Sequence, residues 1–326
     1  MTGAVLRRAD GSDRHVAARH VVLCAGALHS PTLLMRAGIG PAAHLRDCGI
    51  AVLADRPGVG ANLRDHPALT IAQYLPRALR LPTAYRRASF IALRYSSGRP
   101  GGSASDMYLK AAARGGWHAL GRSLGLYFLW VNQPHSAGRL RLRPSDPAGP
   151  PDIDLGLLSA PRDLDRLASG VRMLVSLAVS PHLNPNPHEL FLASFSPAIK
   201  RLSAVTPRNA RLTAVLARLL DGPAPLRRLM LRAFTGRTEL ASLCRADGAL
   251  ADYVRDNVFG VWHASGTCRM GETGDPEAVV DPRGRVIGVE GLTVADASIM
   301  PRLPSAHTNV PVIMGAEKIA DSFRAG

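Results

Sequence analysis

Two stretches within the last 65 residues, 262-WHASGTCRMG-271 and 295-ADASIMPRLPSAHTNVPVIM-314, set His263 and His307 in apolar sequence punctuated by glycine and proline. An imidazole titrates near neutral pH and can hold or release a proton there. The pair therefore reads as the wall of an active site, and a cofactor is what such a wall would face. Asp296 ends a short apolar run, where a carboxylate meets either a cofactor hydroxyl or the amides of a following helix. Further upstream, 57-PGVGANLRDHP-67 places Asn62, Asp65 and His66 on a turn-rich loop. Polar residues there either hold a cofactor or cap turns, and the residues alone leave both open.

The elements that must position these groups are legible in outline. Val21, Val22, Leu23 and Cys24 form a short apolar run closed by Gly26, the pattern of a buried strand. Ser30 and Pro31 then read as the cap and first position of a helix with Leu33, Leu34 and Ala37 on one face, stopping at Gly38. The free amides at its start are suited to an anion or a cofactor edge. Residues 38-GIGPAA-43 match Gly-x-Gly-x-x-Ala loosely, yet they follow a helix and contain Pro41, so they are rejected as a phosphate loop. Tyr127 to Trp130 and the alternating 139-RLRLR-143 read as strands, and Leu164, Leu167, Val171, Leu174 and Leu177 mark a helix over 162–180. Residues 196–240 read as an inserted, surface-packed helical pair interrupted at Pro207, Pro223 and Pro225. Short strands are expected at 285–287 and 292–294, with a last helix from Val310 to Asp321.

Composition narrows the function classes. A chain of 326 residues with 46% hydrophobic and 20% charged residues is globular. The net charge of +15 is carried mostly by scattered arginines, with no recognition helix, zinc-finger spacing or aromatic RNA-binding module beside them. A basic surface is expected and specific nucleic-acid binding is not. Cys24, Cys48, Cys244 and Cys268 show no paired spacing, so no metal site is expected. No leader and no 18-residue apolar span is seen, which points to a cytoplasmic protein without a transmembrane segment.

Five pieces in order, 25-AGALHSPTLLMRAGIGP-41, 57-PGVGANLRDHP-67, 263-HASGTCRMG-271, 291-GLTVADASIMP-301 and 307-HTNVPVIMGAEKIAD-321, resemble the C-terminal part of glucose-methanol-choline (GMC) oxidoreductases, with a weaker match over 133–174. The resemblance implies FAD as cofactor and a small-molecule alcohol as substrate. It implies that His263 is the base that takes the hydroxyl proton and that His307 orients the alcohol, with the hydride passing to the flavin. It also implies a cofactor-binding shell of Ala25, Gly26, Ser30, Asn62, Asp296, Ala297 and Asn309, with Cys268 packing rather than holding the flavin covalently.

The family's opening Gly-x-Gly-x-x-Gly turn is not found. The expectation is therefore an α/β (α+β) chain that is a C-terminal portion of the family, lacking the N-terminal dinucleotide-binding part. On this reading residues 1–67 form an incomplete GMC-type FAD-binding domain, 68–250 an antiparallel-sheet substrate-binding domain with the insert 196–240, and 251–326 return to the first domain with the catalytic residues. Partners would be a complementary N-terminal chain or a homo-oligomer. The alternatives to alcohol oxidation are a catalytically silent fragment or split-enzyme subunit, and a lyase of the cyanohydrin-cleaving kind.

Overall fold

The computed structural model describes residues 1–180, 189–193, 197–235 and 240–324. The chain forms two compact units, one of residues 1–66, 133–160 and 260–326 and the other of 67–132 and 161–259. Residues 133–160, which the sequence reading assigns to the middle domain, thus group with the first unit. Among the described residues no helix is long and apolar enough to cross a membrane.

In the first unit the strand Val21–Leu23 pairs in parallel with Leu292–Val294, and an antiparallel hairpin joins Gly3–Arg7 to Asp13–Ala17. The sequence reading expects an incomplete FAD-binding domain here, and the structure corrects it. Three segments far apart in sequence close one continuous core: Leu34, Met35 and Ile39 meet Leu140 and Leu142, and these meet Val279, Val280, Leu292, Val294 and Ile319. The 139–143 alternation folds as read, with Leu140 and Leu142 each 1% exposed between outward arginines.

The first helix runs Gly26–Arg36, so it begins four residues before the expected Ser30 cap. Gly26 starts it at φ 79°, a left-handed turn that glycine enters without strain. Pro31 then lies inside the helix, where it lacks the amide that would bond the Ala27 carbonyl. The Thr267 hydroxyl donates to that carbonyl instead, at 2.6 Å. A defect in one element is filled by a side chain 240 residues away.

The second unit is built on antiparallel strands in the order Leu190–Leu192, Pro67–Tyr74, Leu124–Val131, Met107–Ala112 and Ile91–Tyr95. The helix Pro161–Val179 packs Leu167, Val171 and Leu174 inward, as its periodicity predicts. It also buries Arg166, which pairs with Asp163 and, at 3.2 Å, with Asp106. The insert, expected as a helical pair, holds three helices: Pro197–Ser203, Pro207–Leu220 and Ala224–Thr235. Pro207 opens its helix rather than interrupting one, because Thr206 caps the Asn209 amide at 3.1 Å. Ser196 and residues 236–239 of the insert lie outside the described residues.

Candidate active site

The two predicted histidines belong to the first unit, on loops whose shape is set by a buried carboxylate. Asp65 is 5% exposed. Its Oδ1 accepts the backbone amides of His66 at 2.7 Å and His263 at 3.0 Å, and the amides of Trp262 and Val261 add to them. Burial raises the Asp65 carboxyl above its ordinary range, and the four amides pull it back. One side chain thereby joins the 57–67 loop to the loop that carries His263. It leaves no room at Gly260, where a Cβ would stand 2.3 Å from Asp65 Oδ2. It also holds Trp262 at φ 61°, a left-handed conformation that costs a bulky residue about 1–3 kcal/mol.

His66, fully buried, joins the predicted pair. Its Nε2 stands 3.3 Å from the Pro304 carbonyl, its Nδ1 2.8 Å from His263 Nδ1, and His263 Nε2 3.3 Å from His307 Nδ1. A carbonyl only accepts, so His66 carries its proton on Nε2 and offers Nδ1 as acceptor. His263 must then donate from Nδ1, which leaves the lone pair on its Nε2. That atom faces His307, an exposed residue whose Nδ1–H donates to it. Burial, together with the neighbouring His307, lowers the His263 pKa to about 4, so the ring is neutral over most of the working pH range. The ligand atoms of Asp65, His66 and His263 lie within 4.8 Å of one another, a metal-like spacing. The amides and the imidazole chain already engage these atoms.

The strand-like segment from Ser265 to Met270 is held on both sides. Gly60 donates to the Thr267 carbonyl, and Arg64 and Ser265 exchange backbone bonds. On the opposite side Gly266, Cys268 and Met270 donate to Ala297, Ser298 and Ile299. Asn62, at φ 53°, donates from Nδ2 to the Gly266 carbonyl at 3.2 Å. Gly266 is required there, since a Cβ would meet the Asn62 carbonyl at 2.6 Å. Cys268 is wholly buried in the core, and burial pushes its thiol well up.

The predicted cofactor-side residues divide into two groups. Ala25, Gly26, Ser30, Asp296 and Ala297 come together: Asp296 Oδ2 accepts the Gly26 amide at 2.9 Å and the Ser30 hydroxyl at 2.5 Å, while Ser30 Oγ accepts the Ala25 amide. Asp296 Oδ1 caps the short turn Ala297–Ile299 through the Ser298 amide at 2.8 Å. Asn62 sits apart from them beside Gly266, and Asn309 is the exposed first residue of the last helix, Asn309–Arg324. Asp296 is therefore spent on joining two chain segments. Asp296 takes the first amide of the helix, that of Gly26, while the N-cap residue Ala25 supplies no cap of its own and the first turn carries no acidic residue. Nothing lies within 4 Å of where a Gly26 Cβ would be. A helix N-terminus beside open space fits the anionic and polyhydroxyl portion of a flavin dinucleotide.

The sequence reading does not include His66 or Asp65 among its site residues. The signal for them was the 65-DHP-67 triplet, whose buried partner is 198 residues downstream.

Two GMC oxidoreductase family models match the chain, one over residues 134–316 and one over residues 1–68. The second match overturns the expectation of a C-terminal portion alone, a fragment without the family's N-terminal part. That N-terminal family sequence is the segment that forms the Val21–Leu23 strand and the first helix. The chain is 41% identical over 311 residues to 5-(hydroxymethyl)furfural oxidase from Methylovorus sp. (strain MP688), which covers 94% of this chain and 51% of that protein. It is 30% identical over 345 residues to an oxygen-dependent choline dehydrogenase from Sinorhizobium medicae (strain WSM419), covering 98% and 54%. Among solved structures, pyridoxine 4-oxidase from Mesorbium loti shares the fold at TM-score 0.70 and 24% identity, over 96% of this chain and 53% of that one. Formate oxidase from Aspergillus oryzae RIB40 shares it at TM-score 0.73 and 20% identity, over 99% and 57%. The chain spans about half the length of the curated relatives it matches. With one family model covering more than half of its residues and a second covering its start, the chain belongs to the GMC oxidoreductase family.

Proposed function

We propose that the protein oxidises a primary alcohol carried on an aromatic or heteroaromatic ring to the aldehyde, with FAD as cofactor. The observation that carries this reading is the lone pair on His263 Nε2, which accepts from the His307 N–H. An alcohol oxygen that replaces this 3.3 Å contact gives its proton to His263 Nε2 and accepts from His307 Nδ1. FAD, when bound, supplies the acceptor for the hydride that leaves the carbinol carbon. The helix start at Ala25 and Gly26, with Asn62, Ala297 and Asn309, would hold it, and Ser30 and Asp296 would keep that helix start in place. The ring-borne hydroxymethyl group is suggested by the relative that shares 41% of its residues, named for a hydroxymethyl furan.

The test is anaerobic addition of 5-(hydroxymethyl)furfural to the FAD-loaded protein while the visible flavin band is followed. Bleaching is expected, and His263→Asn is expected to slow it about 10²- to 10⁴-fold with flavin content unchanged, the usual worth of a positioned base. Bound flavin that no alcohol bleaches, or a His263→Asn variant as fast as the parent, would sink the reading.

A further inference from the structure

In the second unit Thr70 and Ala72 of one strand share a sheet face with Leu124 and Leu126 of its neighbour. Between that face and the three insert helices lies a cavity of about 150 Å³. Its walls are apolar, with Leu126 and Leu192 from strands and Leu202, Leu216, Leu220 and Met230 from helices. The cavity is partly open, and an apolar lining of this kind favours a benzene-sized guest over water, which finds too few polar partners against it.

Thr70 and His118 are polar residues that line the cavity, and the first carries an unused hydroxyl. Thr70 is 3% exposed, and its hydroxyl, fully buried, has no hydrogen-bond partner. His118 is 8% exposed and accepts the Gly121 amide on Nδ1 at 3.0 Å. Burial and the nearby Arg122 hold this imidazole below its ordinary value, hence neutral. Its proton is therefore on Nε2. The buried Thr70 hydroxyl left without a partner costs about 1–3 kcal/mol, and an empty apolar wall forfeits dispersion contacts as well. A single occupant offering an apolar body and one oxygen removes both costs.

We propose that this cavity is a binding site for a small apolar molecule, about the size of one aromatic ring and bearing one oxygen, whose oxygen meets the Thr70 hydroxyl. The lining residues belong to the second unit and include none of the histidine chain, so the test uses probes that the proposed reaction cannot consume. Phenol has no hydrogen on its hydroxyl-bearing carbon to give up, and benzene has no hydroxyl.

The experiment is calorimetric titration of the full chain with phenol and with benzene. Both are expected to bind saturably. Thr70→Val, which keeps the shape and removes the hydroxyl, is expected to weaken phenol about 3- to 10-fold and to change benzene less than about twofold. Ala72→Leu grows into the void from the strand, and is expected to abolish binding of both probes without lowering the melting temperature. Absence of saturable binding of either probe, binding that survives Ala72→Leu unchanged, or equal loss of both probes in a stably folded Thr70→Val variant would each overturn the proposal.

Discussion

At His263 the decisive question is which ring nitrogen holds the proton, and the answer comes from outside the ring. The Pro304 carbonyl fixes His66, and His66 fixes His263. On the proposed reaction His66 is accordingly a positioning residue, acting only through its neighbour. His66→Leu removes the acceptor for His263 Nδ1–H and is expected to lower kcat about 10-fold. His66→Asn, whose Oδ1 stands where Nδ1 does, is expected to restore most of that loss. A structural role alone would make both variants equally poor, and steady-state rates with FAD bound decide between them.

Titration at the same site has a definite sign. His263 must be neutral to accept a proton, so the acid limb of kcat/KM is expected near pH 4 rather than near 6.5. His307→Ala removes one cause of the lowering, and the limb is expected to move to higher pH. Stability follows from the same shift. The unfolded chain protonates this residue near about pH 6.5 and the folded chain only near 4, so the unfolded state holds more protons in between. Stability due to His263 therefore falls as pH drops through that window. Asp65, raised by burial, opposes it. Urea midpoints across the window, compared with those of His263→Asn, show whether the slope belongs to this ring.

Among the elements, the first helix shows how a strong local signal is overruled. Ser followed by Pro is a good helix start, yet the helix starts at Gly26, because Asp296 takes the Ser30 hydroxyl and the Gly26 amide together. Pro31 is then an interior proline, and Thr267 carries the bond it forfeits. Thr267 is 0% exposed. Thr267→Val is expected to destabilise the protein by about 1–3 kcal/mol, since the Ala27 carbonyl is left buried without a donor. Thr267→Ser, which keeps the hydroxyl, is expected to lose less. Denaturant unfolding of the two variants checks this. The Leu167, Val171 and Leu174 face of Pro161–Val179 was by contrast readable from spacing alone, because a helix in a packed unit turns one stripe inward whatever it meets.

Over the whole molecule the charge of +15 acts through a field that no single ion pair cancels. Pairs such as Arg7 with Asp13 and Arg143 with Asp152 are exposed and contribute little. Self-repulsion of the folded state is screened by salt. The melting temperature is therefore expected to rise from low ionic strength to about 0.15 M salt, where the Debye length has shrunk to about 8 Å. A melting temperature that falls over this range would show that ion pairs outweigh the net charge.

The sequence by itself determined the motif order, the FAD-dependent family and the elements whose apolar period is strong. Those are properties of residue type and near spacing. Tertiary structure alone decided which atoms meet. Asp65 and His66 are buried, while the apolar Val310, Ile313 and Met314 of the last helix are 71%, 54% and 69% exposed, an inversion no composition rule predicts. The imidazole chain joins residues 197 positions apart, and the first unit's core joins three separated segments. A one-dimensional pattern carries the preference of each residue for water or its absence. A proton's position depends on partners within about 3 Å, and those exist only once distant loops have been brought together.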